Sequence, residues 1–258
     1  MKGSGYYLTA PQKRHYQVPE NQRINALDPG IRTLITLGFF CVLWRLHPYS
    51  DLLTIASTEK NMSHLITGVI LAGGRATRMD GKDKGLIRLR EHYLIEHVIT
   101  ALRPQVDSLF INANRNHERY RQLTNLPIIP DLIADYPGPL AGIATGLHHA
   151  TTEHVVFTPC DSPLIPHDLV ARLYQAMQQQ QAAISTVMID GCLQPVFALI
   201  QRHLLVELLG FLHSGQRKVE VWYQQYPLAT IDCSDQAANF VNLNSPTELA
   251  QLDSAKTV

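Results

Sequence analysis

The stretch TGVILAGGRATRM, residues 67–79, decides how this chain is read. Its first half, Thr67–Ala72, is a short apolar run without helical spacing, stopped by Gly73-Gly74, so it predicts a buried strand ending in a tight turn. The two glycines let the backbone turn sharply and bring N–H groups close to a phosphate chain. Arg75, Arg78, Lys82 and Lys84 follow, with Arg88 and Arg90 just beyond. A polyanion such as a triphosphate is the natural partner of that loop; a solvated glycine turn with surface cations is the alternative that composition leaves open. No GxGxxG and no GxxxxGK[ST] follows the strand, so the dinucleotide and P-loop ATPase patterns do not fit.

Working outward, apolar helical spacing over Tyr93–Leu102 ends at Pro104, and LFIN at Leu109–Asn112 predicts the next strand. A helix over His117–Leu123, a strand over Pro127–Pro130, a helix over Leu140–Ala150 and a strand over His154–Thr158 follow in turn. Helix Asp168–Gln181 precedes strands over Ala182–Ile189 and Gln194–Ile200. Ser245-Pro246-Thr247-Glu248 has an N-cap serine, proline at the first helical position and glutamate three residues after the cap, which predicts a helix over 246–252. Strands alternating with helices predict an α/β fold: a single doubly wound, mostly parallel sheet with helices on both faces. Ligands of such sheets sit at the carboxyl ends of the strands, and the polar residues of interest fall there repeatedly.

The chain has 258 residues, with 22 Lys plus Arg against 22 Asp plus Glu. Near-neutral charge excludes bulk nucleic-acid binding, and an apolar content of 45% excludes general disorder. The neutrality is a sum of two unlike parts. Residues 1–61 carry a net +3 and the remaining 197 residues a net −3, yet six of the latter's 15 basic residues lie within 75–90. The apolar run IRTLITLGFFCVLWRL at 31–46 has only 12 residues between Arg32 and Arg45, against the roughly 20 that span a bilayer. It also lies too far along to be a signal peptide, so no membrane association is expected, with an interfacial anchor as the alternative. Met62, five residues before the first strand, would serve as a start, so residues 1–61 are expected to be an extension that does not fold with the domain at 62–258. Cys41, Cys160, Cys192 and Cys233 form no CxxC pair, which argues against a disulfide framework or structural zinc site and fits a reducing cytoplasm.

LAGGRATRM followed by DKGL resembles the signature of nucleotidyltransferases with a LAGGxxxRM…DK loop, and among these the molybdenum cofactor guanylyltransferases. The resemblance continues through NANR at 112–115, DYPGPLAG at 135–142, PCDSPLIP at 159–166 and FVNLNSPTELA at 240–250, covering about 62–252. It implies a Rossmann-like nucleotidyltransferase fold and transfer of GMP from GTP to molybdenum-bound molybdopterin, with release of pyrophosphate. Leu71, Ala72 and Gly73, with Gly74, would line the nucleotide; Lys84 would contact the phosphates, supported by Arg78. Asn112 and Asp131 match positions on the base side, and Asp161 matches a carboxylate that holds Mg²⁺. Asn242 and Asn244 of FVNLN, and Arg217-Lys218 of the GQRK turn, would face the pterin acceptor. Molybdenum-insertion proteins and apo-molybdoenzymes or their chaperones are the implied protein partners. Asp80 departs from the family, which usually has glycine there, and a carboxylate beside a triphosphate is repulsive unless it points away or helps a metal.

Taken without the resemblance, these residues keep other readings open. Asp161 could cap the turn that follows it, and Asn242 and Asn244 could serve turn chemistry before the capped helix. GPLAG at 138–142 is an anion-attracting helix start or a plain helix entry. Arg217 and Lys218 could form a solvated basic turn. Cys160 has no evident basic neighbour in sequence and is expected to be a small core residue, and His148-His149 to be solvated or partly packed. The rival functions are a cytidylyltransferase for the same pterin, a sugar-phosphate nucleotidyltransferase, and a non-catalytic nucleotide-binding carrier of the cofactor.

Overall fold

The computed structural model describes residues 65–73, 83–133, 138–243 and 248–249. The expected extension 1–61 lies outside the described residues, as do Gly74, Arg78, Asp80 and Asn244.

Strand β1 (Ile66–Leu71) comes first, and a small separate hairpin of β2 (Arg88–Leu89) and β3 (His92–Tyr93) follows it. Strand β1 joins β4 (Ser108–Asn112), β5 (Ile128–Ile129), β6 (His154–Pro159), β7 (Ile184–Ile189), β8 (Cys192–Gln201) and β9 (Leu228–Asp232) in one seven-stranded sheet. The order is β5-β4-β1-β6-β8-β7-β9, and only β8 runs against the others. The sheet is therefore mostly parallel, as expected, with one reversed strand. That reversal follows from the short Asp190-Gly191 connection, where both residues have positive φ and β7 folds directly back into β8.

Side chains alternate along each strand, so the two faces of the sheet build two cores. Ile70, Ile111 and Val156 pack with α1 (Leu94–Leu102), α2 (His117–Thr124) and α4 (Leu169–Gln179). Val69, Phe110, Val155 and Phe157 pack on the other face with α3 (Pro139–His149), α5 (Leu205–His213) and α6 (Val219–Tyr223). Helix α3 starts at Pro139, whose fixed φ suits a first helical position, behind Gly138 at φ 117, a region that disfavours any side chain.

The register levels the carboxyl ends of four strands. Leu71 pairs with Asn112 on one side and Pro159 on the other, and Asn112 pairs with Ile129. Residues just past that row, namely Ala72, Gly73, Asp131 and Asp161, thus emerge along one rim, with Asn112 on the row itself. The expected elements from the first strand to β8 are present with small changes at their ends. Sequence periodicity did not announce α5, α6, β9 or the β2–β3 hairpin. Of the helix expected over 246–252, Glu248 and Leu249 are described and are helical.

Candidate active site at the carboxyl rim

Lys84 opens a single 3-10 turn, Lys84–Leu86, capped by Asp83, whose carboxylate accepts from the Gly85 amide at 3.3 Å. Across the rim, Asp161 follows β6, and the Lys84 ammonium donates to Asp161 Oδ2 at 2.7 Å. The pair joins residues 77 apart in sequence, with side-chain exposures of 28% and 8%. A largely buried carboxylate needs such a partner, and the lysine stays open enough to meet a ligand. The Asp161 backbone carbonyl accepts from the Leu243 amide at 3.0 Å, which ties the FVNLN segment to the same loop. Next door, fully buried Ser162 donates its hydroxyl to Asn242 Oδ1 at 2.6 Å. Asn242 and Asp161 are therefore neighbours in space.

The other end of the rim is a polar mesh. Asn112 is buried, and its amide donates to Asp131 Oδ1 at 2.8 Å and to the Ile129 carbonyl at 3.2 Å. Asn114 grips the same aspartate at two points, donating to Oδ2 at 2.7 Å while its own oxygen accepts from the Asp131 amide at 2.8 Å. The Ala72 amide donates to the Asn112 carbonyl at 2.8 Å, bringing the glycine turn beside that mesh. Lys84 and Asp161 thus form one pole, Asn112 and Asp131 the other, and the start of the 72–73 turn lies between them.

Arg217 and Lys218 stand between α5 and α6 rather than on the rim row. Arg217 donates to the Leu212 and Gln216 carbonyls at 2.8 and 2.6 Å, closing the end of α5, and Lys218 is exposed just ahead of α6. Of the six clustered cations, Arg75, Arg78 and Lys82 lie outside the described residues. Arg88 is drawn into the hairpin, its guanidinium 5.4 Å from the Tyr93 ring centroid, where cation–π attraction competes with any pull toward the rim.

Cys160 is buried, and burial raises its thiol pKa well above the ordinary range, with Asp161 and Asp83 adding to the rise and Lys84 opposing it. The lysine absent from its sequence neighbourhood is thus present in space, and burial outweighs it, which favours the neutral thiol. His148 and His149 are exposed, their rings edge to face at 4.9 Å. Among the described residues, no three His, Cys, Asp or Glu side chains converge as a metal-binding group. Of the two described rim aspartates, Asp131 is held by Asn112 and Asn114, whereas Asp161 suits Mg²⁺, an ion that takes one or two carboxylates and fills its octahedron with water and substrate phosphates.

The sequence singled out Lys84, Asp161, Asn112, Asp131 and Asn242 but gave no role to Asn114, Ser162, Asp83 or Tyr120. Asn114 and Asp83 stand inside the NANR and DKGL motifs, which could have drawn attention to them. Tyr120 carries no such signal, being one tyrosine on a polar helix.

Residues 68–229 match the family described as MobA-like NTP transferase domain. The chain is 49% identical over 184 residues to a molybdenum cofactor guanylyltransferase of Photobacterium profundum, covering 71% of this chain and 93% of that protein. It is 50% identical over 184 residues to the protein of the same name in Vibrio cholerae, covering 71% and 89%. Among solved structures, the molybdopterin-guanine dinucleotide biosynthesis protein A of Archaeoglobus fulgidus superposes with a TM-score of 0.63 at 21% identity, over 73% of this chain and 97% of that one. The 4-diphosphocytidyl-2C-methyl-D-erythritol synthase of Anaerococcus prevotii superposes at 0.55 with 10% identity, over 74% and 95%, a likeness of fold alone.

Proposed function

The chain belongs to the MobA-like NTP transferase family, and from that premise we infer that it is a molybdenum cofactor guanylyltransferase. It transfers GMP from GTP to the terminal phosphate of molybdenum-bound molybdopterin and releases pyrophosphate. The observation that carries this reading is near-50% identity to guanylyltransferases along almost their whole length. The Lys84–Asp161 pair at a strand-end rim supports it. The catalytic unit we assign to 62–258 rests on the described fold and on the family match at 68–229.

In the reaction, an oxygen of the acceptor phosphate forms a bond to the α-phosphorus of GTP, and the bond from that phosphorus to the β-phosphate bridge oxygen breaks. The acceptor phosphate is already ionised near neutral pH, so no strong general base is required, and catalysis rests on positioning and charge stabilisation. Lys84, with Arg78, stabilises charge on the phosphates; its ammonium exchanges the Asp161 oxygen for a phosphate oxygen as nucleotide enters. Leu71, Ala72, Gly73 and Gly74 line the nucleotide, and Asn112 and Asp131 hold its base side. Asn242 and Asn244 face the pterin, with Arg217 and Lys218 as its phosphate counter-charge. Asp161 would hold Mg²⁺, which supplies charge withdrawal at the α-phosphate and from the leaving pyrophosphate.

We place the reaction in the cytoplasm, consistent with free thiols at Cys160, Cys192 and Cys233. No helix among the described residues is long and apolar enough to cross a membrane. Molybdenum-insertion proteins and apo-molybdoenzymes or their chaperones are the expected protein partners. The deciding test supplies the purified chain and molybdenum-loaded molybdopterin with Mg·GTP or Mg·CTP. Pyrophosphate and a guanine dinucleotide should form with GTP; a cytosine product would make it a cytidylyltransferase, and GTP binding without pyrophosphate release a carrier.

A further inference from the structure

Asp83 is a nearly enclosed carboxylate beside the rim, its side chain only 3% exposed. A buried carboxylate is costly unless donors surround it, and here they do. Tyr120, fully buried on α2, donates its hydroxyl to Oδ1 at 2.6 Å. The Gly85 amide donates to the same oxygen at 3.3 Å, and the Asn116 amide to Oδ2 at 3.1 Å, with Arg115 Nε 4.0 Å from Oδ2. These partners lie on the 3-10 turn, on α2 or just ahead of it, and their hydrogen bonds engage both carboxylate oxygens.

The fit is close. A Cβ on Gly85 would lie 2.5 Å from the Tyr120 hydroxyl oxygen, so the tyrosine occupies the space that a side chain would take. Burial first, and then the charges of Cys160 and Asp83, push the Tyr120 hydroxyl far above its ordinary pKa, so it remains a proton donor at any working pH. Asn116 ends the segment that begins with Asn112 and Asn114 on the base side of the rim. Asp83 therefore bolts the turn carrying Lys84 to the segment carrying the base-side amides.

We propose that Tyr120 and Asp83 are a positioning pair for Lys84: their buried hydrogen bond holds the Lys84 turn against α2 and so sets where the ammonium meets the nucleotide phosphates. This rests on the reading of Lys84 as a phosphate contact. The role is indirect, since the two side chains bond to each other and to the Gly85 amide, and it acts through the backbone of one 3-10 turn.

The test is a cycle of four full-length proteins: wild type, Tyr120→Phe, Lys84→Ala and the double variant. Mg·GTP affinity is measured by calorimetry and folding by thermal melting. A small misplacement at a phosphate contact costs on the order of tenfold or more. Tyr120→Phe should weaken Mg·GTP about tenfold when Lys84 is present, and by less than about twofold in the Lys84→Ala background. Equal losses in both backgrounds would make Tyr120 merely structural, and no loss with Lys84 present would also overturn the pairing. If Lys84→Ala itself binds Mg·GTP as wild type does, the phosphate-contact reading fails first. Should Tyr120→Phe melt early, Asp83→Asn replaces it in the same cycle, with the same losses expected and the same outcomes overturning the pairing.

Discussion

Gly142 sets two physical effects against each other, which makes its substitution informative. It lies inside α3, where alanine in place of glycine normally stabilises by about 0.5–1 kcal/mol. A Cβ there, however, would sit 2.5 Å from Asn112 Oδ1 and 2.8 Å from Leu71 Cδ2. Those distances are roughly 0.7–0.8 Å inside ordinary contact. Asn112 is buried and tied to Asp131 and Ile129, so its oxygen cannot retreat without turning its amide away from Asp131. Overpacking costs about 1–3 kcal/mol and a buried polar group left unpaired about 1–3 kcal/mol. Crowding outweighs helix propensity, leaving a net loss of about 3 kcal/mol, or roughly 6–12 °C in Tm for a domain of this size. Because Asn112 is proposed to hold the base side of GTP, loss of one such hydrogen bond should also weaken Mg·GTP affinity about tenfold. Gly146 is the control one turn further along, where a Cβ would meet the Phe157 ring, 2.8 Å from Cζ, and no rim residue. Gly146→Ala should lower Tm while leaving nucleotide affinity of the folded protein unchanged. A Gly142→Ala protein with a raised Tm and wild-type affinity would show that Asn112 is not held as tightly as its bonds imply.

Lys84→Ala and Asp161→Ala should each largely abolish pyrophosphate release while the fold survives; near-normal turnover in either variant removes that residue from the site. Chelation of divalent metal should stop turnover, reversibly with added Mg²⁺, yet leave Tm within about a degree or two, since a single lysine-paired carboxylate holds no ion tightly without nucleotide. A Tm that falls on chelation would point to a resident structural metal. Alkylation of native protein near pH 8, read by peptide mass spectrometry, should label exposed Cys192 and spare Cys160, whose thiol burial keeps protonated; rapid labelling of Cys160 would show that the rim opens.

Short-range signals in the chain were enough to read the strand–helix alternation and, through ordered motifs, the family. Each is local: β-branched runs, apolar helical spacing and short motifs in order. Strand register is not local, and it decides the site. Leu71, Asn112, Ile129 and Pro159 form one level row only because parallel strands pair in that alignment. That pairing brings Lys84 to an aspartate 77 residues away and turns Asp131 between two asparagines. Helices α5 and α6 and strand β9 gave weak patterns because their order depends on burial against the sheet. The one reversed strand had the same cause of obscurity, since an apolar run in a covered sheet does not announce its direction. Tyr120 is the clearest case: its neighbours in sequence are polar, and only the packing of α2 under the Lys84 turn gives its hydroxyl a carboxylate to hold.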